Sequence, residues 1–282
     1  MVKIISDSTC DLSPELIERY DITIVPLHIL LGDDEYEDGF GIKPEEIFAW
    51  ADANKTTPKT SAPSLERAAE IIKPFTDEGR DVICFSISSQ MSASGSIMAL
   101  AADEIGAADK VKVIDSANLS TGIGLLVIEA AVMAKEGCSA EEIVERIEEL
   151  KPLVRASFVV DTLVYLHRGG RCSGLAALAG SALQLHPKIT VIDGAMKAGK
   201  KYKGKLSKAV DSYVHDLEDA MKNAKPDRVF ITHSGCDREI VESVRSYLES
   251  LNVFDEIHET RAGGVVSSHC GPGTLGVLFI SK

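Results

Sequence analysis

The chain has 282 residues, enough for one large α/β domain or two smaller ones. Hydrophobic residues at 45% and charged residues at 26% exclude a disordered chain. A net charge of −13 repels phosphate backbones unless a local basic stripe overcomes it. The densest basic stretch, Lys197 to Lys208, interleaves no aromatic ring beyond Tyr202, so no nucleic-acid partner is expected.

In chain order, residues 2–5 read as a short apolar strand. Ser13-Pro14-Glu15 then opens a helix, with Ser as N-cap and Pro at the first helical position. A strand at 22–25 follows, a second helix opens at Lys43-Pro44-Glu45-Glu46, and Ser64 caps a third. The strongly apolar strand at 82–87 leads to a helix over about 93–105. A strand at 111–114 leads to a helix near 119–135. Ser139-Ala140-Glu141-Glu142 is a capping box for a helix ending near Leu150. Strand–helix alternation of this kind predicts a three-layer α/β/α domain with a mainly parallel sheet over residues 1–155.

Past Lys151-Pro152 the pattern changes. Residues 157–160 read as a strand, and a Gly-rich segment and a small-residue helix near 175–185 follow. Residues 189–192, Asp193-Gly194 and 196–202 form a strand–turn–strand hairpin. A helix capped by Ser207, strands at 229–232, 256–260 and 277–280, and a helix near 239–251 complete the chain. Hairpins and returns predict a smaller α+β domain with a largely antiparallel sheet over residues 156–282.

Cys10, Cys84, Cys138, Cys172, Cys236 and Cys270 are scattered, with no C-x-x-C pair, and read as reduced thiols. The acidic start around Asp7 lacks the apolar run of a secretory leader, and no stretch approaches the ~20 apolar residues of a membrane helix. A cytoplasmic protein without integral membrane association is expected.

Familiar catalytic motifs fail on spacing. Asp7-Ser8-Thr9-Cys10-Asp11 follows a strand, but the second Asp stands four residues on, where a phosphotransferase nucleophile loop wants two. The Gly194–Gly199–Lys200 run lacks the magnesium-binding hydroxyl of a P-loop and the helix that should follow. Gly122 and Gly124 lack the third glycine of a dinucleotide fingerprint, and no G-x-S-x-G elbow occurs. His233-x-x-Cys236 and His269-Cys270 are candidate metal ligands that the sequence does not bring together, so neither metal nor cofactor is expected.

Three segments carry the chemistry. Thr60-Ser61-Ala62-Pro63-Ser64 offers hydroxyls beside the unpaired N–H groups of a helix start. Ser88 to Gly95 lies between a strand end and a helix N-terminus, the usual anion site of an α/β sheet. His269-Cys270-Gly271-Pro272-Gly273-Thr274 combines a histidine with glycines that permit close backbone approach. The two loops hold no base, so they can bind a carboxylate or phosphate without a means of attacking it. The competing reading is an enzyme acting on an acyl or phosphoryl group, with Ser92 as nucleophile and His269 as base. No third group to orient that His is evident.

These segments, with Ser6-Asp-Ser-Thr-Cys-Asp11, Val113-Ile-Asp-Ser116, Tyr165-Leu-His-Arg-Gly-Gly-Arg171 and Leu183-Gln-Leu-His-Pro187, occur in the order found in the DegV family, which the chain resembles from end to end. The resemblance implies a long-chain fatty acid lying between two domains of a carrier with no chemistry of its own. Its carboxylate would be held by Thr60, Ser61, Ser92 and His269, with the Ala93 N–H as a further donor. It also implies delivery of the acid to a separate fatty acid kinase that makes an acyl phosphate, with Arg171 as the docking residue. Residues 175–185 and Leu163 to Leu166 are expected to line the acyl tunnel. The chain departs from the family pattern at Met91-Ser92-Ala93-Ser94, Ala62, Gln184 and His186.

Overall fold

A computed structural model describes residues 1–173 and 185–282 of the chain. In β1 (Lys3–Asp7) every residue is buried, and neighbouring side chains serve different cores, Ile4 one and Ile5 another. After a 3-10 turn (Ser8–Cys10), α1 (Pro14–Arg19) starts at the Ser13 hydroxyl, which accepts the Leu16 N–H, and β2 (Ile22–Val25) pairs parallel to β1. Then β3 (His28–Leu31), β4 (Asp34–Glu37) and, beyond α2 (Pro44–Asn54), β5 (Lys59–Ser61) form a separate antiparallel sheet in the order β4-β3-β5. The sequence reading missed this sheet. Asp34–Glu37 has the acidic composition of a loop, and Thr60 and Ser61, expected in a loop, are the end of a strand.

The alternation resumes with α3 (Leu65–Asp77), β6 (Val82–Ser86), α4 (Ser94–Glu104), β7 (Val111–Asp115), α5 (Thr121–Glu136) and α6 (Ala140–Leu150). Ser64 caps α3, and the Ser139–Glu142 box closes reciprocally on α6, as the sequence predicts. The main sheet has the order β2-β1-β6-β7 with every pairing parallel. Helices α3 and α4 share a core with one of its faces, α5 and α6 with the other. Strand order reverses between β1 and β6, which makes the C-terminal ends of those two strands the topological switch point.

The second half opens with β8 (Val154–Val159), followed by α7 (Val164–Gly169), β9 (Cys172–Ser173), β10 (Leu185–Ile192) and β11 (Ala195–Lys203). Asp193 and Gly194 join the last two with φ of +51° and +79°, the left-handed pair of a tight hairpin turn. Then come α8 (Leu206–His215), α9 (Glu218–Lys222), β12 (Ala224–His233), α10 (Arg238–Leu251), β13 (Glu256–Arg261), α11 (Gly264–Cys270) and β14 (Leu275–Ser281). The N-cap of α8 is Lys205, so Ser207 lies within the first turn rather than capping it. The strands form a seven-stranded sheet in the order β13-β12-β14-β8-β10-β11-β9, antiparallel in its four central pairings and parallel at both ends. The expected helix near 175–185 lies outside the described residues except for Leu185, which opens β10.

Helix α5 is buried over most of its surface because both sheets use it: Phe158 and Leu278 of the second sheet share a core with Phe85 and Ile114 of the first. Gly122 lies against Asn118 and Gly124 against Leu12, where a Cβ would approach within 2.2 and 2.7 Å. Close packing of the helix start accounts for these glycines. The outer face of the second sheet packs on α8 and α10 through Tyr213, Val244 and Phe279. Tyr202, the one aromatic in the basic stretch, is buried there with its hydroxyl on Asp216, so it is not available to stack on a base.

Candidate functional site

The switch point is tied together by a buried carboxylate. One oxygen of Asp7, at the end of β1, accepts the Ile87 N–H at 2.9 Å just past β6, and the other accepts from Thr9. The Ser88 loop folds on itself: the N–H groups of Met91 and Ser92 donate to the Ser88 carbonyl, and that of Ser88 donates to Asn118. The turn leaves the Ser92 hydroxyl beside the first turn of α4, where it accepts the Ser94 N–H at 3.2 Å. The third component arrives from the far end of the chain. Helix α11 packs against α2, β3 and β5 of the first half, and its last turn carries His269 to Thr60.

A cavity of about 230 Å³ opens among these elements. Thr60, Ser61, Ser92, Ala93, Arg171 and His269, the six residues singled out in the sequence, all line it. Its apolar wall comes from Leu27, Ile87, Met91, Leu119, Met196 and Val266. A smaller apolar space shares Leu119, Val266 and Cys270 with it and continues between the sheets toward Phe158 and Leu278. The wall residues escaped the sequence reading because a cavity-lining Leu or Ile has the pattern of a core residue. Leu163 and Leu166, expected to line an acyl tunnel, are not among the residues lining this cavity; they pack in the same core cluster as its wall residues Ile87 and Leu119, and Val164 is exposed.

The Nε2 of His269 and the hydroxyl of Thr60 are 2.8 Å apart, across 209 residues of sequence. Burial pushes the His269 pKa down to about 4, with the Arg171 charge acting in the same direction, so the ring is neutral at pH 7. A neutral imidazole has one N–H, and which nitrogen carries it is set by its partners. Nδ1 is buried without a hydrogen-bond partner among the described residues and faces Gly169, where a Cβ would stand 2.5 Å away. Arg171 is exposed at the cavity wall, its Nη1 held by the Gly169 carbonyl at 2.6 Å. Hydroxyls, one imidazole and a guanidinium above an apolar wall suit a molecule with an anionic head and an apolar body.

The Ser92–His269 pair named in the competing enzyme reading is not formed, since the imidazole bonds Thr60 and the Ser92 hydroxyl bonds the backbone. The other His-Cys candidate lies elsewhere: His233 Nδ1 accepts the N–H groups of Gly235 and Cys236, and the Cys236 thiol donates to the Thr274 carbonyl. Among the described residues no group of three or more His, Cys, Asp and Glu side chains could hold a metal ion, and no helix is long and apolar enough to cross a membrane.

A parallel sheet and a largely antiparallel one share a core, and with the short third sheet they enclose a cavity that joins polar groups to an apolar wall, which defines a multi-sheet α/β fold built around an internal cavity. The chain belongs to the DegV family: a family model described as "Uncharacterised protein, DegV family" matches residues 1–282. A DegV domain-containing protein of Clostridium perfringens is 32% identical over 100% of this chain and 99% of its own length. Among solved structures, a DegV family protein from Thermus thermophilus, described by its fatty acid binding, superposes with a TM-score of 0.91 at 31% identity, covering 100% of this chain and 99% of that one. A stearic acid-binding protein from Eubacterium ventriosum gives 0.86 at 31% identity with the same coverage.

Proposed function

We propose that this chain binds one long-chain fatty acid, with its carboxylate at the Thr60–His269 pair, and acts as a carrier. The observation that carries the reading is that pair: a hydroxyl and a neutral imidazole meeting in a cavity that joins further polar groups, Ser61, Ser92 and Arg171, to an apolar wall. Ser61, Ser92 and the N–H of Ala93 complete the head-group contacts in this reading, and the fatty-acid-binding relatives favour it over another amphiphile. Each buried methylene contributes about 0.8 kcal/mol, against ~1.5–3 kcal/mol for a charge-assisted hydrogen bond. A chain of a dozen or more methylenes therefore supplies most of the affinity, and the polar mouth sets which end goes in.

The finer part of the proposal is that the bound acid is presented to a separate fatty acid kinase for acyl-phosphate formation, with Arg171, exposed beside the mouth, as the docking residue. Arg171→Ala is expected to leave lipid content unchanged and to abolish partner-dependent acyl-phosphate formation; loss of lipid would reassign Arg171 to the head group.

The deciding experiment is to denature the purified protein, extract it with organic solvent and analyse the extract by mass spectrometry. Near-stoichiometric long-chain fatty acid is the expected result. An empty extract together with p-nitrophenyl ester hydrolysis that is lost in Ser92→Ala would replace the carrier by an acyl or phosphoryl enzyme using Ser92 and His269.

A further inference from the structure

Helix α11 has only seven residues, yet it brings Val265, Val266, His269 and Cys270 to the cavity. So short a helix is not stable by itself, and its place must be set by what holds its ends. Its N-terminal N–H groups meet two carboxylates from the opposite end of the chain. Gly263 N–H donates to Asp11 Oδ1 at 2.8 Å, and Gly264 N–H to Asp38 Oδ1 at 2.7 Å, with Val265 N–H at 3.3 Å from the same oxygen. Both acids are buried, at 5% and 2% exposure. Each is fixed through its second oxygen: Ser120 Oγ donates to Asp11 Oδ2 at 2.5 Å, and Ser8 Oγ to Asp38 Oδ2 at 2.8 Å. Ser8 Oγ in turn accepts the Leu27 N–H, and Asp38 N–H donates to the Leu27 carbonyl, so this side of the clamp is built on the residue just before β3. The glycines belong to the same device, because a Cβ on Gly264 would stand 2.4 Å from Ile29 and 3.1 Å from Asp38 Oδ1.

We infer that Asp11 and Asp38 are positioning residues of the head-group site: by clamping the first turn of α11 they set where His269 stands against Thr60. This rests on the fatty-acid reading, and neither acid lines the cavity that holds Thr60 and His269. A positioning role for the head group differs from general support of the fold in what it discriminates. If α11 shifts, the carboxylate loses its aligned partners, while the wall residues that α11 does not carry, Ile87, Met91, Leu119 and Met196, keep their places against the tail.

The test is equilibrium binding of a long-chain fatty acid and of the matching fatty alcohol to delipidated protein, parent against Asp38→Asn and Asp11→Asn. Replacing the second oxygen, which accepts a serine hydroxyl, by an amide NH2 is expected to weaken the acid about fivefold and the alcohol less than twofold. Equal losses for both ligands, or no loss, would overturn the proposal. Should the Asn variants fail to fold, Ser120→Ala, which removes only the hydroxyl donating to Asp11, is expected to show the same acid-selective loss at smaller size, and an unselective effect would overturn it. If the parent binds neither ligand, the fatty-acid reading fails, and the His269 ring 15N resonances of the ligand-free protein then decide the clamp. Movement in Asp38→Asn toward the Thr60→Ala spectrum supports it, and unmoved resonances overturn it.

Discussion

The hydroxyl of Thr60, the hydroxyl of Ser92 and the imidazole of His269 each do something different at the cavity mouth. Thr60 and His269 hold each other, while Ser92 serves the backbone of α4. Removing one hydroxyl in Thr60→Val or Ser92→Ala takes away a proposed head-group partner without opening the core. Fatty-acid binding should weaken by about 1–2 kcal/mol, with a melting temperature near that of the parent, as read by fluorescent fatty-acid titration and thermal melting. Gly169 is the more telling position. A methyl group there would meet Nδ1 of His269 at 2.5 Å. Gly169→Ala is therefore expected to push the ring off Thr60 and reduce fatty-acid retention as much as His269→Ala does. Retention equal to the parent would show that the ring position does not matter to the ligand.

At the scale of elements, the buried acids that meet the start of α11 make stability depend on pH. Burial raises the Asp11 carboxyl to about 8 and that of Asp38 to about 6, from an unfolded value of 3.8. For both, the hydrogen bonds they accept pull the other way without winning. A carboxyl whose folded pKa is raised holds its proton longer in the native state, so its contribution is fully present below the unfolded pKa and is lost as pH rises through the folded one. The urea midpoint should therefore fall between about pH 4 and 8 on account of these two groups, and Asp11→Asn should flatten the upper part of that slope. His269 works in the opposite sense, because its lowered pKa removes stability as pH falls from 6.5 toward 4. The Lys-rich strand β11 finds its account at this scale too. It runs next to the two-residue edge strand β9, and exposed lysines there discourage pairing with another chain.

Across the whole molecule, the layers run α3 and α4, the parallel sheet, α5 and α6, the second sheet, then α8 to α10. The change of pattern near residue 155 marks where the second sheet begins at Val154, but the chain does not keep to that division in space. Val265 of α11 fills the small core with Ile29 and Ile47, and Phe158 and Leu278 cover the far side of α5. Residues 1–155 expressed alone would expose both surfaces and lose the donors that meet Asp11 and Asp38. They are expected to give no cooperative urea transition, measured by circular dichroism, whereas the full chain unfolds cooperatively. A sharp transition in the fragment would show that the parallel-sheet half is self-sufficient.

The sequence by itself determined what is local. Ser13, Ser64 and the Ser139–Glu142 box cap the helices they predict, and Asp193-Gly194 makes the turn it predicts, because a cap or tight turn is satisfied by atoms within a few residues. The alternation of strands and helices anticipated the parallel sheet, the hydroxyl-rich loops marked where a polar site could lie, and the family resemblance singled out the polar residues that line the cavity. Only the tertiary structure decided which of them meet. The three-stranded sheet of β3, β4 and β5, the return of α11 and the Thr60–His269 pair depend on partners that no window of sequence contains. The cavity wall was illegible for a related reason: Ile87 and Leu119 are apolar whether they face a ligand or a neighbouring side chain, and only packing tells the two apart.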